Sequence, residues 1–383
     1  MEMKPSPKLF IMPFCAICAV LAFTFMQWGI QTVSRDFTAF YATAKMVIAC
    51  PDSLYDSQVQ LKYQTSLGLG PSYLPFPYPA VVPLLYTPFT LVSLSTAYWL
   101  MLGVNIALLF LCLLLLIRRF DLDNGEARLL LLVASTGFPI FVNLIAGQFA
   151  FVSLLILVLF FSDMKRNRAT AGIWAGCLAV KPSLLAVPVL ILILKWNKRA
   201  LVAAGITLTS IVVLSWAVVG WKGLSDELAL LIAMARHPAA VAKLTFMHNV
   251  RALSHWSHLG DVGALIISGL VVALLCSVPA AKRSRPVFLM GGLLATALVS
   301  PHLHTYDLSI LLPLVAFGVP TGIWYQRAFV FGPLLILVST YLIGVVPIIP
   351  AVLLICFVLC IYKARKPVVS ALSTSLPKDS ALT

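Results

Sequence analysis

The sequence predicts an all-α polytopic membrane protein with about twelve transmembrane helices, and three observations carry that prediction. Apolar residues make up 61% of the 383 and charged ones only 10%, whereas soluble domains run near about 45–50% and about 25%. With a mean hydropathy of +1.00, the chain has too little polar surface to cover itself in water. Its apolar runs recur near the roughly 17–25 residues that a helix needs to cross a bilayer, where a helix satisfies its own backbone. The basic residues fall in short clusters between these runs: Arg118 and Arg119; Lys165, Arg166 and Arg168; Lys195, Lys198 and Arg199; Lys282, Arg283 and Arg285; Lys363, Arg365 and Lys366. That pattern marks the cytoplasmic ends of spans, not a basic face for nucleic acid, despite the net charge of +14.

Taken in order, spans are expected at roughly 9–30, 97–117, 128–144, 148–163, 169–180, 183–195, 199–219, 262–279, 286–300, 307–321, 328–344 and 346–362. The first follows Met1–Lys8 and has no small-residue cleavage site after it, so it reads as an uncleaved helix. Tyr78–Leu94 is apolar but carries Pro79, Pro83 and Pro88, and could either cross or lie broken in the interface. Charge counting decides between these. If it does not cross, about 19 Lys/Arg lie inside and about 8 outside; if it crosses, about 7 lie inside and about 20 outside. The non-crossing reading puts both termini in the cytoplasm of the cell (inner) membrane and makes 31–96, with interfacial helices, and 220–261 external loops. All six histidines and Asp36, Asp52, Asp56 and Asp307 then share the external face. Residues 1–362 form a single membrane domain, and 363–383 a polar, disordered cytoplasmic tail. Of eight cysteines, Cys50 alone lies in a loop. Cys15 and Cys18 sit mid-span without polar neighbours and read as small apolar residues, not a metal or redox pair.

Polar content outside the spans is sparse, so its concentrations stand out. Asp36 follows the first span at a helix mouth, where it caps the helix or acts as a general base. Phe37, Phe40 and Tyr41 follow it. The stretch Tyr73–Pro79 is prolines and aromatics, suited to stacking on a sugar or isoprenoid or to anchoring in the interface. Asn143, Gly147 and Gln148 lie at an external turn. Lys181-Pro182 places an ammonium beside lipid on the external side, against the inside rule, where it suits a phosphate or snorkels to the surface. The loop 236–258 holds His237, Lys243, His248, Arg251, His255 and His258. A phosphate site fits it, whereas no carboxylate or cysteine is spaced to complete a zinc tetrahedron. Last comes Ser300-Pro301-His302-Leu303-His304-Thr305-Tyr306-Asp307, a dense polar turn between two spans.

These pieces, in this order, resemble membrane glycosyltransferases of the GT-C type, and more closely glycosyltransferase family 87, the polyprenol-phosphate-mannose-dependent α-mannosyltransferases. The resemblance rests on Asp36-Phe37 with Tyr41 and Ala42, Leu54-Tyr55-Asp56, Tyr78-Pro79, Gly147-Gln148, Lys181-Pro182 and the Ser300–Asp307 turn. It implies a GT-C-like fold and an inverting hexosyltransferase working at the external face, with Asp36 as its catalytic base. The donor is then a polyprenyl-phosphate sugar and the acceptor a lipid or glycan. Lys181, Arg251, His248, His302 and His304 are candidates for the donor phosphate; Tyr41, Tyr78, Gln148, Tyr306 and Asp307 for sugar and acceptor. No metal or cofactor is called for, and the partners are the two substrates and the bilayer, not nucleic acid. The rival class is a transporter or lipid flippase. That class places ionisable groups on broken helices near the midplane, whereas here they collect at one face.

Overall fold

The computed structural model describes residues 33–70, 73–236, 244, 247–318 and 348–365. The expected spans at 9–30 and 328–344 lie outside these residues, as do His237, Lys243 and most of the 363–383 tail. The described regular structure is helical, with a single isolated bridge between Met247 and His304. In chain order the helices are α1 (Arg35–Ala49), α2 (Ser57–Ser66), α3 (Val81–Tyr86), α4 (Leu94–Arg119), α5 (Asn124–Thr136), α6 (Phe138–Ala146), α7 (Ala150–Lys165), α8 (Thr170–Cys177), α9 (Ala186–Leu194), α10 (Lys198–Arg236), α11 (Val250–Trp256), α12 (Gly260–Cys276), α13 (Pro286–Val299), α14 (Pro313–Gly318) and α15 (Ile348–Arg365).

Among the described residues, α4, α10 and α15 are long and apolar enough to cross a bilayer. A fourth candidate is the pair α5 and α6, bent by 51° where Gly137 and Pro139 interrupt the ladder. Other expected spans are shorter helical runs: Thr170–Val180, Pro182–Leu194 and Pro286–Val299; of the one expected at 307–321, the described residues end at Gly318. At 1.5 Å per residue each of the three runs covers about 16–21 Å, short of the ~30 Å hydrocarbon core. The first two meet at Lys181-Pro182 and the third ends at the 300–304 turn, where proline and extended backbone stop the helix.

Both stretches expected as external loops contain helix, which was expected for 31–96 and not for 220–261. The proline-rich run after Tyr78 folds as α3 and a 3₁₀ turn over Thr87–Leu91, together about 17 Å long and too short to span alone. The stretch read as an external loop from residue 220 continues α10. Gly220 breaks that helix with φ 65°, ψ −172°, a conformation open to glycine alone, and helix resumes as far as Arg236.

α7 is the hub. Nearly every side chain along it is buried, including Phe151, Leu154, Leu157, Phe160 and Phe161, and α4, α6, α8 and α13 share the same apolar core. A second cluster gathers Phe37, Phe40 and Tyr41 of α1 with Phe76, Tyr86, Tyr98 and Phe149. Phe40 stacks on Tyr86 at 4.9 Å and meets Phe76 edge-on at 5.2 Å. This cluster holds α1 inward as a packed element, so the expected first loop presents a buried aromatic helix and not one lying loosely on the surface.

Candidate active site

The site is assembled from helix ends. Ser34 caps α1, its hydroxyl accepting from the Asp36 amide at 3.2 Å. Asp36 is therefore not the cap, and its carboxylate is left for other work. The next residue, Phe37, is fully buried against Gly147. A Cβ at Gly147 would lie 2.9 Å from that of Phe37, and φ is 63°, so a glycine is needed both for the left-handed C-terminal cap of α6 and for the close approach. The turn delivers Gln148, whose Nε2 donates to Asp36 Oδ2 at 2.7 Å. Asp36 Oδ1 accepts no hydrogen bond among the described residues, and Gln148 Oε1 is buried without a partner.

Lys181 stands at the joint between two half-helices. Proline at 182 steers the preceding residue away from helical backbone, and Lys181 is extended at φ −133°, ψ 79°. Its side chain is 7% exposed and that of Asp307 2%. The ammonium donates to Asp307 Oδ1 and lies 5.6 Å from the centre of the Tyr306 ring. Asp307 Oδ2 accepts from the His304 amide at 3.1 Å, so both its oxygens are engaged.

The 300–307 turn is braced from behind. Asn249 Nδ2 donates to the Ser300 and Pro301 carbonyls at 2.8 and 3.1 Å. The His248 amide donates to Leu303 O at 2.8 Å, and its ring Nε2 lies 3.0 Å from Thr305 Oγ1. Burial pushes the His248 imidazole down to about 4, with His304 adding to the shift. Burial, then His304, does the same to His302, also to about 4, and burial lowers His304. These rings are neutral near pH 7. Neither ring nitrogen of His302 has a partner among the described residues.

A cavity of about 730 Å³ joins these ends. Its polar lining includes Asp36, Tyr78, Gln148, Lys181, His302, His304, Tyr306 and Asp307, and its apolar walls include Phe40, Val142, Ala146, Val187, Leu231 and Met234. Lys181 is the one lysine or arginine among the described lining residues. Tyr78 is set by a backbone tether, its carbonyl accepting from Tyr55 OH at 2.8 Å.

Eight of the eleven residues given a base, phosphate, sugar or acceptor role from the sequence thus share this cavity. Tyr41, His248 and Arg251 do not line it. Tyr41 turns its hydroxyl to Val92 O at 2.7 Å, and His248 braces the turn. Arg251 Nε donates to Asp261 Oδ1 at 2.8 Å, an oxygen that also meets His255 Nε2 at 3.2 Å. Leu231 and Met234 were missed because 220–261 read as a loop, although the apolar run Leu228–Ala235 after Gly220 carries a helical signal.

The family model for glycosyltransferase family 87 matches residues 76–301, more than half of the chain. The chain belongs to glycosyltransferase family 87. Comparison with curated proteins and with solved structures gave no match. Membership makes this family 87 protein a glycosyltransferase, and its long apolar helices make it a membrane protein. The matched segment contains Tyr78, Gln148 and Lys181. Asp36 precedes that segment and His302–Asp307 follow it directly, so the family match and the cavity are separate observations that overlap in part.

Proposed function

We propose that this family 87 enzyme transfers a hexose, mannose by the family resemblance, from a polyprenyl-phosphate donor to a hydroxyl of a lipid or glycan acceptor at the outer face of the cell membrane. The observation that carries the reading is one cavity holding a carboxylate with an unengaged oxygen, Asp36, and a buried ammonium, Lys181, beside an apolar wall. The charge distribution supports about twelve spans with cytoplasmic termini, and the family resemblance implies that they are arranged as in GT-C enzymes.

Asp36 Oδ1 takes the proton of the acceptor hydroxyl as its oxygen attacks the anomeric carbon. The bond to the donor's phosphate oxygen breaks on the opposite side of that carbon, inverting it, and the phosphate leaves with the electron pair. Proton removal of this kind contributes about 10²–10⁴-fold. The Lys181 ammonium meets the charge developing on the phosphate, in a site where low dielectric strengthens the attraction. Neutral His302 offers one N–H and one acceptor nitrogen to sugar or phosphate oxygens. Tyr78 and Tyr306 present ring faces to the sugar, and the apolar wall suits the isoprenoid. The scheme uses no cofactor.

The test is transfer by the purified protein in liposomes, with radiolabelled polyprenyl-phosphate mannose, candidate acceptors and mass spectrometry of the product. A labelled glycoside of inverted configuration is expected. Solute or lipid movement across the bilayer with no glycosidic bond formed overturns the reading in favour of a transporter or flippase.

A further inference from the structure

We propose that Asp307 is a positioning residue that acts on sugar transfer through Lys181, not by touching sugar or acceptor. The inference rests on the reading of the cavity as a polyprenyl-phosphate sugar site, and adds to it how the single cation is held.

Three observations point this way. First, each oxygen of Asp307 is already engaged by a donor of the protein itself: Oδ1 takes the Lys181 ammonium and Oδ2 the His304 amide. The backbone contact makes Asp307 a rigid reference point at the start of the 3₁₀ turn Thr305–Leu311. Second, the lysine is confined. Its ammonium sits between the Asp307 carboxylate and the Tyr306 ring face, and its backbone is set by Pro182. A lysine stem has several rotatable bonds and swings widely when nothing holds its head. Here the head is held, and of its three N–H donors one goes to Asp307, leaving two for phosphate oxygens. Third, no second cation in the lining can replace it. The other titratable residues of the lining are His302 and His304, which burial keeps neutral near pH 7, the phenols Tyr78 and Tyr306, and the acidic residues Asp36 and Asp307. A buried ammonium without a counter-charge is unfavourable, and Asp307 is the ion-pair partner the structure gives it.

A thermodynamic cycle on turnover separates this from a direct role. Wild type, Asp307→Asn, Lys181→Met and the double variant are compared, full length in liposomes, for kcat and for the KM of polyprenyl-phosphate mannose. Thermal unfolding reports that each is folded. Asp307→Asn is expected to lower kcat by up to about 10²-fold, as a small misplacement of a catalytic group does, and Asp307→Glu to restore part of it. In the Lys181→Met background the same substitution is expected to cost less than about threefold, because residues acting as a unit are non-additive. Losses that multiply, or a wild-type kcat in Asp307→Asn, overturn the proposal. Should Asp307→Asn not fold, Asp307→Glu takes its place in the cycle. A wild-type protein that transfers no sugar from any polyprenyl phosphate overturns the functional reading itself, whereas transfer with multiplying losses overturns this inference alone.

Discussion

Asp36 and Asp163 lie at opposite ends of α7, a helix about 24 Å long, and the fold treats them in opposite ways. Asp163 is 4% exposed and saturated. Its Oδ2 accepts from Thr170 Oγ1 at 2.6 Å and Trp174 Nε1 at 2.9 Å, and its Oδ1 lies 3.4 Å from Arg119 and 3.8 Å from Arg168. Asp36 is half-buried and receives one side-chain bond, from Gln148. A carboxylate whose lone pairs are all spoken for ties elements together. One with an oxygen turned to a cavity can accept a proton. The Asp163 end of α7 is therefore fastened, and the Gln148 end leaves a carboxylate oxygen open to the cavity.

The sharpest way to break this comparison is to neutralise each aspartate in turn. Asp36→Asn is expected to lower sugar transfer by about 10²–10⁴-fold while leaving the thermal midpoint in detergent near that of wild type. Full activity in a radiolabel assay would end its assignment as base. Gln148→Ala comes next, with kcat falling about 10–10²-fold through misalignment of Asp36 and the donor KM little changed. A variant equal to wild type would mean that Asp36 needs no such support. Asp163→Asn is expected to do the reverse, lowering stability by about 1–3 kcal/mol with turnover per folded molecule unchanged. Loss of turnover in fully folded protein would contradict its role as a fastener.

A separate expectation concerns acid. His248 and His302 have folded-state values near 4, below the ordinary 6.5. Between those values the unfolded chain binds more protons than the folded one. Stability is thus fully present above pH 6.5 and is lost as pH falls towards 4. Thermal midpoints measured across that window should decline, and His302→Gln should flatten part of the decline. A midpoint constant over that window would show that these rings are not held neutral by burial.

Much of the site was legible in the sequence because polar residues are rare in so apolar a chain. Lys181, Gln148 and the 302–307 turn stood out as exceptions to a local pattern, and the structure brings them to one cavity with Asp36. Other expectations turned on what a local pattern cannot contain. Tyr41, Arg251 and His248 had the right chemistry nearby in sequence, yet neighbours such as Val92, Asp261 and Thr305 engage them elsewhere. The helix after Gly220 was read as loop because one glycine and the charges at Lys222, Asp226 and Glu227 masked an apolar run, and with it the wall residues Leu231 and Met234.

By itself the sequence determined the membrane character, the helical class and the short polar tips where chemistry gathers. Hydropathy, proline and clustered basic charge act over a few residues and need no partner. Only the tertiary structure decided which tips meet. Asp36 and Gln148 are 112 residues apart, and Lys181 and Asp307 are 126 apart. Nothing along the chain states that one aspartate keeps an oxygen open while another spends both, because that depends on which donors the packed helices bring within hydrogen-bond reach.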